Sequence, residues 1–335
     1  MPKFSFQLLL KALLPIGFGV FIMWYFFQQL DNAVKTAFYH ALSRMHYSYV
    51  VVAVVLNVLA LVVRAKRWEL MLLPMGYQTT LWQRYHGLMV GYLVNLTIPR
   101  AGEASRSFVL QRLSKVPFAA SFGTIVAERI LDLIILFIIV SGTASYASHD
   151  FWKIKQEVIS SFGKSEAVST SVHWLKWGML SLVFIAFMVI LLNIKWRKKS
   201  IQFISALFDG FLAIFKTKRP FVFLSQTLFI WGSYLGYFFL CFLALPETSE
   251  IPINGVFIAF IAGTLGISFT NGGIGVYPVV VGLVIAHYLQ SKHGNDALAI
   301  GYATGTIIWT SQTLLTLILG IISFVFLQKK PLENV

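Results

Sequence analysis

NLTIPRAGEASR (Asn95–Arg106) and SFTNGGIGVYP (Ser268–Pro278) are the two stretches that decide the fold. Each breaks an apolar run with glycine, and the first adds Pro99. Laid over one another, Thr97 falls on Thr270 and Gly102 on Gly275, an offset of about 173 residues. The residue match is short. The flanking apolar segments repeat at nearly the same offset, and that gives the pair its weight. Interrupted apolar segments at corresponding places in two halves point to the binding site of a transporter.

The rest of the chain agrees with a membrane setting. Of 335 residues, 57% are hydrophobic and 12% charged, and several runs reach the roughly 20 apolar residues that span a bilayer. Spanning helices are expected at 8–27, 48–66, 119–146, 173–194, 221–244 and 299–327. The apolar stretches 81–98 and 253–270 lead into the two breaks. The first run has no small-residue cleavage site and reads as a retained helix. The single cysteine, Cys241, excludes an intrachain disulfide. No Cys/His spacing suggests a metal, and no cofactor is expected. A net charge of +14 fits cytoplasmic loops and anionic headgroups better than nucleic acid.

Charge also orients the chain. Arg64, Lys66, Arg67 and Arg84 lie in 64–84 against Glu69, and seven basic residues lie in 195–219 against Asp209. Arg100, Arg106, Arg112 and Lys115 in 100–115 face only Glu103, whereas 245–252 holds Glu247 and Glu250 alone. Basic loops stay inside, so both termini are expected in the cytoplasm. Both ends of 81–115 then share one side, and both ends of 253–290 share the other. The expected fold is an all-α polytopic membrane protein with about six spanning helices and two re-entrant hairpins. Its inverted repeats occupy 1–147 and 173–335, joined by an external interfacial loop at 148–172. Two ordinary short spans in place of the hairpins would also leave both termini inside. The stretch 200–216 reads as an amphipathic surface helix.

Within this frame a few polar residues stand out. Glu128 and Asp132 share a helix face, with Arg129 close enough to pair with Asp132. Ionisable groups at such depth face a partner or a wet cavity, so these form either a structural ion-pair cluster, with Arg100 or Arg106, or a proton-carrying one. IPRAGEASR places Arg100 and Arg106 beside a break at Pro99 and Gly102, where a helix restarts. Free N–H groups and guanidinium forks there suit a lipid phosphate, with Glu103 orienting an arginine. The alternative is a turn whose arginines sit in the headgroup layer. NGGIG (Asn271–Gly275) suits a tight re-entrant turn with exposed amides. It is not a P-loop, since no Gly-Lys-Ser/Thr follows. Arg64, Lys66, Arg67 and Trp68 read first as interface anchors.

The combination RAKRWELML (Arg64–Leu72), GYLVNLTIPRAGEASR (Gly91–Arg106), VAERILDLI (Val126–Ile134) and GGIGVYP (Gly272–Pro278) resembles the membrane domain of bacterial lysylphosphatidylglycerol synthase/flippase proteins. That family includes stand-alone members and archaeal relatives linked to dolichol-dependent glycosylation. The resemblance covers almost the whole chain and implies a flippase-type domain that moves lipid between leaflets. Its motif positions fall on Arg67, Asn95, Pro99, Gly102, Glu103, Arg106, Glu128, Arg129, Asp132, Gly272, Gly273 and Gly275. Two departures stand beside it. The chain is expected to lack the soluble synthase domain of the two-domain members. Asn271 and Val276–Tyr277 stand where the family commonly has Pro and an acid, which leaves the cargo open.

The resulting expectation is a transporter of an anionic phospholipid or lipid-phosphate in the bacterial cytoplasmic membrane, and not an enzyme. Arg67, Arg100, Arg106 and Arg129 would bind the phosphate. Glu103, Glu128 and Asp132 would balance charge or carry protons. The partners are membrane lipids, with a second copy of the chain or a lipid enzyme as further candidates. The rival expectations are a membrane-embedded enzyme and an accessory subunit acting on lipid-linked substrates.

Overall fold

A computed structural model describes residues 31–98, 100–148, 194–270, 272–294 and 296–329, with Gln28, Asp150, Trp152–Ile154 and Gln156. The apolar run 8–27, the run 173–194 except its last residue and most of 148–172 lie outside the described residues, as do Pro99 and Asn271.

The described chain is α-helical. α1 (Asn32–Arg44) leads into α2 (Tyr47–Leu72), which closes through a short 3-10 turn at Gly76. α3 (Leu81–Thr97) and α4 (Gly102–Ser114) form a helical hairpin, followed by α5 (Phe118–Tyr146). The second half contains α6 (Ile194–Leu212), α7 (Pro220–Phe242) and the single turn α8 (Pro246–Ser249). α9 (Ile253–Phe269) and α10 (Val276–His293) make a second hairpin before α11 (Asp296–Lys329).

Local sequence explains the boundaries. The start of α3 is a reciprocal cap: the Thr80 hydroxyl accepts from the Gln83 amide, and the Gln83 side chain accepts from the Thr80 amide. Pro220 opens α7, where a missing N–H costs nothing. The break before α10 has left-handed φ values at Gly272, Gly273 and Gly275 of 65°, 78° and 77°. A side chain in that region costs roughly 1–2 kcal/mol per residue, which accounts for the glycine run.

The helices of each hairpin approach closely. A Cβ on Gly102 would collide with the Gly91 carbonyl oxygen, and one on Gly263 would meet the Tyr277 ring at 2.7 Å. The tips of the two hairpins touch: the Leu96 side chain lies 3.0 Å from where a Cβ of Gly272 would sit. α11 bears on both hairpins. The Trp309 indole donates to the Gly272 carbonyl at 2.8 Å, and Gly320 faces Leu93 of α3.

Among the described residues two helices, Tyr47–Met75 and Asp296–Leu327, are long and apolar enough to cross a membrane by length and composition. This is fewer than the six expected spans. Two of those runs lie wholly or almost wholly outside the described residues. α5 carries Glu128, Arg129 and Asp132, and α7 carries Gln226, Thr227, Ser233, Tyr234 and Tyr237. Polar residues that face inward lower the apolar character of both. Their outward faces remain apolar, with Leu133 and Phe137 of α5 and Phe221 and Leu228 of α7 well exposed. Such a belt would be a liability in water and is ordinary against lipid. α1 was not anticipated, because its polar composition resembles a loop.

Candidate functional site

A charged cluster lies where α2, α4, α5 and α7 meet. Arg64 and Arg67 stand three residues apart on one face of α2, and Glu128 and Asp132 stand four apart on one face of α5. Arg64 donates from Nε to Glu128 Oε1 at 2.5 Å, from Nη2 to Asp132 Oδ2 at 2.7 Å and from Nη1 to the Tyr234 hydroxyl at 2.9 Å. Arg67 is fully buried. Its Nη2 lies 3.1 Å from Glu128 Oε1, and its Nη1 donates to Thr227 at 2.9 Å.

Arg106 reaches the same carboxylate from α4, its Nη1 lying 3.1 Å from Glu128 Oε2. Its guanidinium carbon lies 3.8 Å from the centre of a Trp68 ring, a cation–π contact. The Trp68 indole in turn donates to Thr124 at 2.8 Å. Three arginines therefore converge on Glu128, which is only 1% exposed. Arg129 lies at the rim. It pairs with Glu103 at 3.0 Å and is 3.9 Å from Asp132, so its main partner is not the expected one.

Four guanidinium groups here face three carboxylates, one positive charge in excess. Taking such ions out of water costs several kcal/mol each, recovered only when partners and hydrogen bonds are complete. They are not complete. Arg106 Nε and Nη2 and Arg67 Nε are buried with no hydrogen-bond partner among the described residues. A small cavity of about 10 Å³ adjoins Arg106, lined also by Tyr92, Asn95, Gly102, Glu103 and Arg129. That is room for one water-sized group.

The remaining expected residues are placed as follows. The Asn95 side-chain oxygen accepts from the Gly102 amide at 2.7 Å, so this N–H at the start of α4 is already engaged. Arg100 is exposed, has a left-handed φ of 60° and makes no ion pair among the described residues. It stands apart from the other three arginines. Gly272, Gly273 and Gly275 form the second break, which touches the first through Leu96.

Arg64 is the residue that sequence reasoning missed. Its neighbours Lys66, Arg67 and Trp68 made it look like an interface anchor, yet only Lys66 is exposed. The signal was the matched spacing of Arg64/Arg67 and Glu128/Asp132 on two apolar helices. At the other end of α2, roughly 25 Å from Arg64 at 1.5 Å per residue, a groove of about 580 Å³ opens beside α1, lined in part by His40, Arg44, Glu247 and Asp296. Among the described residues no group of three metal-ligating side chains converges.

The family model described as lysylphosphatidylglycerol synthase TM region matches residues 12–320 of the chain. A UPF0104 membrane protein of Methanocaldococcus jannaschii is 29% identical over 106 residues, 31% of this chain and 30% of that protein. The chain thus matches less than a third of that relative's length. No solved structure matches the chain.

Proposed function

This chain belongs to the lysylphosphatidylglycerol synthase TM region family, and we propose that it is a transporter moving an anionic phospholipid or lipid-phosphate between leaflets. The observation that carries the reading is the convergence of Arg64, Arg67 and Arg106 on buried Glu128, with unfilled guanidinium donors left over. A buried cluster built for stability alone would have its donors filled. One with a positive excess and spare donors suits an anion that visits.

The proposed frame is six spans and two re-entrant hairpins in inverted repeats over 1–147 and 173–335. Several features support it. α3 and α9 each contain 17 residues, and each leads into a break at corresponding positions. The two breaks touch at Leu96 and Gly272. Broken backbone within a membrane is tolerated only where protein buries it or a wet cavity adjoins it. In this reading the cavity beside Arg106 opens to one leaflet at a time while the acyl or prenyl tails stay in lipid. Arg106, Arg129 and Arg67 neutralise the phosphate, and Glu103, Glu128 and Asp132 balance charge. Exposed Arg100 is a first contact at the headgroup layer.

The test is movement of headgroup-labelled phosphatidylglycerol and phosphatidylcholine by the purified protein in liposomes. Phosphatidylglycerol movement that disappears in a folded Arg106→Ala variant is the expected outcome. Normal movement in that variant removes the site. No movement of either lipid by correctly inserted protein removes the transporter and favours the lipid-enzyme or accessory-subunit reading.

A further inference from the structure

The Nε–Nη2 edge of a guanidinium binds two oxygens of a carboxylate or phosphate at once. On Arg106 both atoms of that edge are buried with no hydrogen-bond partner among the described residues. The rest of the group is held: Glu128 engages Nη1, and the Trp68 ring supports one face. Arg106 is thus fixed with one two-pronged edge to spare. Arg129 is the second guanidinium on the adjoining cavity, and Glu103 holds its Nη2 at 3.0 Å.

The two pairings differ in strength. Arg106 and Glu128 are almost wholly buried, whereas the side chains of Arg129 and Glu103 are 41% and 23% exposed. A pair that water reaches is worth roughly 0–1 kcal/mol and yields readily to a competing anion. Arg67 does not line this cavity, and Arg100 stands outside the cluster.

We propose that Arg106 and Arg129 are the jaws of a phosphate clamp, and that Glu103 occupies Arg129 until a phosphate-ester headgroup displaces it. The proposal rests on the lipid-transport reading and narrows its arginines to two. With about 10 Å³ beside Arg106, a phosphate enters only as the Glu103–Arg129 pair parts. The carboxylate is then both competitor and closure.

The test measures binding of dihexanoyl phosphatidylglycerol, and separately of inorganic phosphate, to the purified full chain by calorimetry. Glu103→Gln keeps the size of the side chain and removes the competing charge. Tighter binding by roughly twofold to fivefold is expected, the size of a partly exposed ion pair. Arg106→Ala and Arg129→Ala each weaken binding. In the double variant Glu103→Gln with Arg129→Ala the gain vanishes, since it acts through Arg129. A gain for the lipid alone places the ligand in the bilayer, and a gain for both probes extends the clamp to free phosphate. A gain for neither, or one that survives Arg129→Ala, overturns the clamp. Vesicle transport by the unmodified chain separates the two readings. Transport without the Glu103→Gln gain keeps the transporter and removes the clamp; the gain without transport does the reverse.

Discussion

Glu128 and Glu103 are both glutamates facing arginine, yet their surroundings assign them different costs. Removing Glu128 leaves three guanidinium groups converging on a dry position without their shared counter-charge. Breaking a buried ion pair from one side typically costs about 3–5 kcal/mol. Glu103 lies partly in solvent, and its loss costs roughly 0–1 kcal/mol. Thermal unfolding in detergent is therefore expected to show a large drop for Glu128→Ala and almost none for Glu103→Ala. Equal shifts would mean that the cluster is wetter than its burial indicates. The carboxylates were legible in the sequence because acids inside an apolar run are conspicuous. Arg64 was not, because a basic residue near the end of an apolar run has a ready explanation as an anchor. Its real partners lie 64 and 68 residues away, and nothing local announces them.

At the scale of elements, hydropathy and punctuation carried most of the information. The stretches read at 81–98 and 253–270 are Leu81–Thr97 and Ile253–Phe269, because a cap or proline opens each and a break closes it. The helix read at 48–66 continues to Leu72. Three basic residues end its apolar run, but Glu128 and Asp132 neutralise two of them, so the helix continues through. The close approach within the first hairpin was not legible, since a glycine at a turn and a glycine at a crossing look alike. Gly102→Ala is expected to destabilise the protein by about 1–3 kcal/mol, because a backbone carbonyl cannot swing away from the added methyl. Gly142→Ala, in α5 with nothing within 4 Å of the added carbon, is expected to be neutral or slightly stabilising. Unfolding midpoints of the two variants check the contrast, and a similar loss in both would remove the crossing as its cause.

For the whole molecule, the arrangement across the membrane is read by single-site labelling. The chain has one cysteine, Cys241, and it is buried. A Cys241→Ser background therefore permits single-site labelling with an impermeant maleimide. Ser249→Cys is expected to react from outside intact cells, and Gln111→Cys only after permeabilisation. Both positions are exposed, so access to the residue itself does not limit either reaction. External labelling of Gln111→Cys would show that α3 crosses fully and would replace the re-entrant hairpin with a span. Two ordinary short spans in place of the hairpins leave both termini inside as well, so the sides of the loops between them carry the distinction.

α11 reaches the second hairpin through the Trp309 bond to Gly272 and the first through Gly320 against Leu93. A single stiff rod resting on two doors gives them one shared axle. In the proposed transport cycle, a tilt that eased one door would press on the other, and an unbroken passage from one face to the other would meet a mechanical bar. For a cell that would be insulation: under this proposal a lipid is handed across while protons and salt are kept from following it.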